Sequence, residues 1–332
     1  MKQQKRIHNP TKIERFLIEK DLKDGKLVIV QFSSELYSDK MLADLNELCL
    51  QYDENFSVRF YGHYFDCNTL LQLPNIKALW LDCLLEADNL EVLAELKNLK
   101  RLSLGIFELK NTEILQAKNF QNLEKLIVCE TRTKALNLKY LENYTNLDYL
   151  IISGHTKNID AVGKLTNLKF LGLNSISNIR LDFINKLHRL KSLHFVLGGR
   201  ENLDEIEENE IETLTIREVR TFSSFKNIAN FKKLKSLLIE GQIQLTEIHF
   251  DKELTTLEKL KIFNCKNLKS LTGIEKLSAL NLLRVSKTNI VFEEFMKQIF
   301  PKSLNIFAFY TTKVKVNKEI KEELLKLGYK EK

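Results

Sequence analysis

Glycine and proline are scarce in this sequence, which has 11 Gly and 3 Pro among 332 residues. Collagen-like, low-complexity and turn-rich β-sandwich proteins need far more of one or both residues, so the composition excludes these classes. Hydrophobic residues make up 44% and charged residues 29%, which is typical of a folded chain and not of a disordered one. The length fits two domains or one elongated domain.

Long apolar runs and paired cysteines are also missing. No run of 18 or more apolar residues could form a membrane-spanning helix, and the polar start lacks the apolar segment of a secretory signal peptide. The five cysteines form no CxxC pair, which disfavours a disulfide framework or a zinc site. We therefore expect a cytoplasmic protein without membrane association, whose cysteines are free and mostly buried. These cysteines are Cys49, Cys67, Cys83, Cys129 and Cys265, with Cys129 expected to face outward.

Leucine is abundant, with 58 residues, and it is periodic. Segments such as LKNLKRLSL (Leu96–Leu104) and LTNLKFLGL (Leu165–Leu173) share the pattern LxxLxxLxL. We call the first residue of each final LxL pair the anchor, and eleven anchors follow one another at intervals of 21–24 residues. The anchors are Leu79, Leu102, Leu126, Leu150, Leu171, Leu193, Leu214, Leu237, Leu260, Leu283 and Phe307. A leucine-rich helical bundle would need a 3.6-residue period between the copies, and the period-2 LxL pairs disfavour it.

The repeat predicts stacked parallel strands. Each LxL pair places two side chains on the same face of a short strand, and the preceding LxxLxx turns the chain back toward that face. One such unit cannot bury its own apolar face, so successive units must stack to build a continuous core.

The repeats resemble those of leucine-rich-repeat proteins, in particular the 22-residue internalin-type and phosphatase-regulator-type repeats. The element xNL carries this resemblance at Asn75, Asn98, Asn122, Asn146 and Asn167. The resemblance covers roughly residues 70–312 and implies a curved α/β solenoid with a parallel β-sheet on its concave face. The family's Asn five residues after the anchor is missing here. Of the residues that stand there, Cys265, Thr288 and Thr131 can partly substitute for it as small hydrogen-bonding groups, so a less regular solenoid is expected.

The ends of the repeat region need caps, because terminal repeats would otherwise expose their core. We expect an N-terminal α/β cap at 1–55, a solenoid of about 11–12 repeats at 56–312 and a C-terminal capping helix at 313–332. Phe56 is taken as the anchor of a degenerate first repeat. The predicted cap helices are Lys12–Lys20, burying Ile13, Phe16 and Leu17, and Asn317–Leu327, burying Ile320, Leu324, Leu325 and Leu327.

Catalytic motifs are absent from the sequence. It contains no GxxxxGK[ST], GxGxxG, HExxH or GxSxG. Two alternatives stay open, a Cys–His nucleophile formed by His63 and Cys67, and a cation site in the acidic run 201–210. Because a surface loop and a solvated charged face explain these features more simply, we predict no catalytic residue, no metal and no cofactor.

The residues that flank the LxL leucines are expected to point to the concave side. Of 33 such positions, fourteen are apolar or aromatic, six are basic and two are acidic. An exposed face of this composition suits a protein interface. The predicted partner-binding residues are Trp80, Arg101, Lys125, Ile127, Tyr149, Ile151, Phe170, His194, Arg217, Lys261, Phe263, Arg284 and Tyr310.

These features predict a monomeric, non-enzymatic scaffold that binds another protein, one with an acidic and apolar surface. The abundance of Lys, Asn and Ile is typical of an AT-rich bacterial genome and favours a toxin-neutralising immunity protein or a regulator of an enzyme. The alternative is a nucleic-acid-binding protein that uses the basic concave rows. It is disfavoured because the net charge is only +7 and most basic residues are Lys.

Overall fold

The computed structural model describes residues 3–33, 36–53, 55–132, 135–177 and 179–331. It divides into two compact units, Met1–Leu168 and Lys169–Lys332. Each unit is built on a parallel β-sheet to which successive repeats add one strand each. The predicted domain boundaries at 55 and 312 remain predictions.

Among its described residues, unit 1 has seven parallel strands that lie side by side in chain order. They are β1 (Gln4–His8), β2 (Leu27–Phe32), β3 (Phe56–Asp66), β4 (Ala78–Asp88), β5 (Arg101–Ile106), β6 (Lys125–Val128) and β7 (Tyr149–Ser153). Helices α1 (Arg15–Lys23) and α2 (Asp39–Gln51) connect the first three strands. The later connections contain short 3-10 helices at Cys67–Gln72, Leu90–Glu95, Ile114–Gln116, Lys118–Asn122, Leu138–Asn143 and Ile159–Lys164.

Unit 2 continues the same repeat. Its main sheet contains β8 (Phe170–Asn174), β9 (Ser192–Val196), β10 (Thr213–Arg217), β11 (Ser236–Glu240), β13 (Lys259–Phe263), β15 (Leu282–Ser286) and β16 (Ile306–Tyr310). A small second sheet pairs β12 (Glu247–His249) with β14 (Ser270–Thr272). The helices are α3 (Phe292–Phe295), α4 (Val314–Lys326) and 3-10 helices at Asp182–Lys186, Ile228–Asn230 and Ile274–Lys276.

All eleven predicted anchors lie in the core, each at most 2% exposed. Their Cα atoms are register partners from strand to strand, from Leu79 to Leu150 in unit 1 and from Leu171 to Phe307 in unit 2. This alignment confirms the repeat, because each anchor stacks on the anchor of the neighbouring repeat in the same unit.

The register of β3 corrects the predicted first repeat. Val58, and not Phe56, is the register partner of Leu79, and Phe56 lies opposite Val28. Val58 and Phe60 are the buried pair that replaces LxL in this strand. The prediction of Phe56 as the anchor was therefore wrong by two residues, because β3 carries three alternating apolar positions and the sequence does not mark which one is the anchor. Strand β1, which the sequence analysis did not anticipate, pairs with β2.

Helix α1 buries a different face from the one expected. Phe16 is 78% exposed and Leu17 is 51% exposed, so their predicted burial was wrong. The side chains that α1 buries are Ile18, Asp21 and Leu22. Asp21 can lie in this contact because its carboxylate accepts hydrogen bonds from Lys5 and Lys26. These hydrogen bonds hold the pKa of Asp21 below its usual value, and the one from Lys26 has the larger effect.

Helix α4 packs against β16 and buries Ile320 and Leu324. The predicted burial of Leu325 and Leu327 was wrong, since they are 49% and 57% exposed. After α4 the chain runs along β16, where the Phe307 amide donates to the Lys330 carbonyl at 3.0 Å and the Lys330 amide donates to the Asn305 carbonyl at 2.8 Å. This placement is compatible with the predicted cap, whose function stays a prediction.

Buried polar side chains take over the position of the missing Asn ladder. His155 is 1% exposed, and its Nδ1 accepts the Leu136 amide at 3.1 Å. The ring proton therefore lies on Nε2, which donates to the Cys129 carbonyl at 2.8 Å. In a later repeat, Gln242 donates its side-chain amide to the Ile216 carbonyl at 3.2 Å. Different side chains thus satisfy loop backbone groups in different repeats.

Candidate protein-binding face

The predicted binding residues flank the anchors on the side of each sheet opposite the core, which we call the open face. Arg217 is exposed and the other twelve are half-buried, so all thirteen are accessible. Unit 1 carries Trp80, Arg101, Lys125, Ile127, Tyr149 and Ile151. Unit 2 carries Phe170, His194, Arg217, Lys261, Phe263, Arg284 and Tyr310. Alternation along each strand explains this placement, because the residues on either side of a buried anchor must point the other way.

The open face of unit 1 contains a cavity of about 210 Å³, which we call the hollow. It is lined by Ser57, Leu79, Trp80, Arg101, Leu102, Ser103, Lys125, Ile127 and Tyr149. The hollow exists because Ser103, a small side chain that is only 3% exposed, lies between two larger ones. Register places Ser103 directly between Trp80 on β4 and Ile127 on β6.

Two positive charges lie next to each other at the hollow. Arg101 and Lys125 are register partners on β5 and β6, and like charges on neighbouring strands are unfavourable. In the described part of the chain, no carboxylate lines the hollow. The carboxylate beside it, Asp82, forms an ion pair with Arg59 and accepts a hydrogen bond from the Ser103 hydroxyl at 3.4 Å. The hollow is therefore both apolar and positively charged.

Arg59 belongs to the open face but was missed by the sequence analysis. Its guanidinium lies 4.6 Å from the centre of the Tyr61 ring and donates to Gln31, a buried side chain, at 3.5 Å. With Val58 as the anchor of β3, Arg59 occupies the position that Trp80 holds in the next repeat. Arg59 points outward whether Phe56 or Val58 is taken as the anchor, because the two lie two residues apart. It was missed because the predicted outward positions began with the repeat of Leu79.

The open face of unit 2 also carries charges and rings. Arg217 donates from Nε to Glu240 at 2.7 Å, so this cation is paired. The Phe170 and His194 rings meet edge to face with centroids 4.6 Å apart. Burial, and then the nearby Arg217, lowers the pKa of His194. This part of the face therefore combines aromatic side chains with an ion pair whose two charges offset each other.

Strands β13 and β15 bring two further cations together. Lys261 and Arg284 are register partners, and Nε of Arg284 is buried with no hydrogen-bond partner among the described residues. On the next strand, Tyr310 donates its hydroxyl to Glu331 at 2.9 Å. The structure thus repeats, in unit 2, the side-by-side cations found at the hollow of unit 1.

The structure disfavours the alternative of a Cys–His nucleophile formed by His63 and Cys67. Cys67 is fully buried, and burial raises the pKa of its thiol to about 12, whereas His63 is exposed. A thiol with so high a pKa is not a reactive thiolate. Cys129 was expected to face outward, and its side chain is only partly accessible. Burial raises the pKa of the Cys129 thiol to about 11. Cys83 is instead the exposed cysteine.

Several carboxylates of the acidic run 201–210 form ion pairs with basic residues. Glu205 contacts Arg200 at 2.8 Å and Glu208 contacts Lys232 at 3.0 Å. Among the residues that the structure describes, no group of three or more His, Cys, Asp or Glu side chains could hold a metal ion. These residues therefore give no support to the alternative of a cation site in this run. Within the same described ranges, every helix is too short or too polar to traverse a lipid bilayer.

Comparison with known proteins identifies the fold. No protein-family model and no curated protein sequence matches the chain. Among solved structures, an internalin (InlF) from Listeria monocytogenes matches with a TM-score of 0.58 and 20% identity, covering 85% of this chain and 77% of that one. The functional domain of InlJ from Listeria monocytogenes matches with a TM-score of 0.43 and 14% identity, covering 71% and 62%. A Leptospira interrogans LRR protein matches with a TM-score of 0.38 and 18% identity, covering 80% of this chain and 96% of that one. We draw no conclusion from the InlJ and Leptospira similarities. The aligned anchors, the parallel strands and the first of these similarities show that the chain has the α/β leucine-rich-repeat fold.

Proposed function

We propose that the chain is a non-enzymatic scaffold that binds another protein through its open face. The observation that carries this proposal is the composition of that face, where half-buried aromatic, aliphatic and cationic side chains lie on consecutive strands. Protein interfaces are enriched in aromatic residues and Arg, and a few such residues dominate their affinity. The side chains that we expect to contribute most to partner affinity are Trp80, Tyr149, Phe170, Phe263 and Tyr310.

The partner has an acidic and apolar surface, since the accessible cations and rings of the open face would complement it. The finer hypothesis is a cytoplasmic bacterial protein, present as a monomer, that neutralises a toxin or regulates an enzyme. It is supported by the composition of the chain and by the exposed extent of the open face. These features favour capture of one folded partner over chemical transformation of a small molecule.

Nucleic-acid binding is the second candidate, and the adjacent Lys261 and Arg284 favour it. The two candidates differ in salt dependence. Phosphate contacts release counterions, so nucleic-acid affinity falls steeply with salt, and each lost contact flattens that dependence. For a protein partner, the same basic residues act chiefly on association rate at low salt.

The test is affinity capture from the native cytosol with three immobilised proteins. They are the wild type, the variant Tyr149→Ala/Phe263→Ala, and the control Ile243→Ala, whose side chain is 53% exposed and lies between strands. We expect one protein to be retained by the wild type and the control and lost from the open-face variant. Ile243 lies outside the strands that carry the open face, so its truncation should leave binding unchanged. Losing one central aromatic contact weakens binding by roughly thirtyfold. A retained protein that ignores the open-face variant, or a nucleic acid retained with a steep salt dependence, would refute the proposal.

A further inference from the structure

We propose that the hollow of unit 1 receives one apolar side chain of the partner, held there by a carboxylate that neighbours it in the partner's sequence. This inference rests on the proposed function and specifies the chemistry of one contact. The occupant is a short acidic–apolar protein segment, such as a Phe or Leu between acidic residues.

The size of the hollow selects a single side chain. Its volume of about 210 Å³ is below the range of about 300–1,000 Å³ that is usual for small-molecule and cofactor sites. Pockets that take one residue of a partner are the usual location of the strongest contacts in an interface. Because the hollow opens on a sheet surface, the chain that carries this side chain can continue across neighbouring strands.

The walls of the hollow select an apolar group. Trp80 and Ile127 stand on either side of Ser103, and both line the hollow. Burial raises the pKa of Tyr149, which therefore stays a neutral hydroxyl at physiological pH. A side chain that enters this space exchanges water for indole and aliphatic surface.

The charge around the hollow selects a carboxylate. Lys125 lines it beside Arg101, and the neighbouring Asp82 is already bound to Arg59. An incoming carboxylate would be attracted to Lys125, whereas an incoming cation would be repelled by it. A hydrogen bond between Lys125 and a carboxylate is charge-assisted, which makes it stronger than one between neutral groups.

The fluorescence of Trp80 reports peptide binding at the hollow, because Trp80 lines the hollow and the 332-residue chain contains one Trp. The full-length protein is titrated with a synthetic peptide that carries one Phe between two Glu, and the Trp80 emission is followed. Two analogues replace both Glu with Gln or replace Phe with Ala. We expect a saturable change with the Phe/Glu peptide, about tenfold weaker binding with the Gln analogue, and no saturation with the Ala analogue.

Two variants locate the contact. Lys125→Gln should weaken the Phe/Glu peptide about tenfold and leave the Gln analogue unchanged, which couples this residue to the peptide's carboxylates. Ser103→Leu should fill the hollow and abolish binding, and its thermal unfolding is measured to confirm that it is folded. The control Lys110→Gln changes an exposed lysine outside the strands and should bind as the wild type does. Equal affinities for all three peptides, or unchanged binding by folded Ser103→Leu, would overturn the inference.

The failure of this inference is distinguishable from failure of the proposed function. Suppose that a captured partner protein no longer binds Tyr149→Ala/Phe263→Ala but still binds Ser103→Leu. The open face then binds protein, and the hollow does not receive a side chain of the partner. A single-stranded oligonucleotide that changes Trp80 emission where the peptides do not would overturn the inference in favour of phosphate recognition.

Discussion

The imidazole of His155 supports the loop of its repeat, and removing it should be costly. In His155→Ala, the buried Leu136 amide and the Cys129 carbonyl each lose their partner. An unsatisfied buried polar group costs about 1–3 kcal/mol, and this is the loss of unfolding free energy expected from the Leu136 amide. The Cys129 carbonyl is only partly buried and adds less. His155→Asn restores the residue type that the repeat family has at this position and can keep one donor and one acceptor, so it should lose less.

The same residue makes the stability depend on pH. Burial lowers the pKa of His155, because the charged ring is disfavoured inside the loop. The unfolded chain therefore binds this proton at pH values where the folded chain does not. The contribution of His155 is complete above its ordinary pKa of about 6.5 and is lost as the pH falls through the lower folded pKa.

Urea unfolding of the wild type and both variants, at several pH values from 7.5 down to 5, tests this reasoning. The difference in unfolding free energy between the wild type and His155→Asn should be largest at neutral pH and shrink as the pH falls. The subtraction removes the contribution of His194, whose pKa is also lowered by burial. A difference that is independent of pH, or a loss below about 1 kcal/mol in His155→Ala, would refute the reasoning.

Three further results are expected. Leu171→Ala, at a fully buried anchor, should lose about 2–5 kcal/mol of unfolding free energy in urea, and a loss below 1 kcal/mol would contradict its position as an anchor. Gly198→Ala should lose more than about 1 kcal/mol, because φ is +73° and a Cβ would lie 2.1 Å from the Ile176 carbonyl oxygen. Its neighbour Gly199→Ala, whose Cβ would lie 3.3 Å from the nearest atom, is the control and should change little. Thiol titration of the native protein should find one fast thiol, Cys83, and Cys83→Ser should remove it; fast reaction of a second thiol would contradict the burial of the others.

The sequence was sufficient to predict the core because the repeat is redundant. An LxL pair that recurs eleven times fixes which strand residues point inward, and an error in one copy is corrected by its neighbours. The ends lack this redundancy. Strand β3 offers several alternating apolar positions, so its register was misplaced at Phe56, and α1 buries Asp21 through contacts with two lysines that lie outside the helix.

The candidate site was predictable only as a set of positions. The positions that flank the LxL leucines placed Trp80, Lys125 and Tyr149 on the open face, because side chains alternate between the two faces of a strand. The hollow depends on what is missing, namely side-chain volume at Ser103 between two larger neighbours on adjacent strands. Recognising it requires the register of three strands at once, which the spacing of one motif does not provide.

Neighbouring strands of the open face carry both oppositely charged and like-charged register partners. Arg217 and Glu240 show that neighbouring strands of this sheet can pair opposite charges at register positions. Arg101 with Lys125, and Lys261 with Arg284, are instead register partners of the same sign. Like-charged neighbours are a small cost to the folded chain, and nothing in the packing of the anchors requires them. Accessible cations on neighbouring strands fit the proposed acidic protein partner and also a nucleic acid, and the salt dependence of binding separates the two proposals.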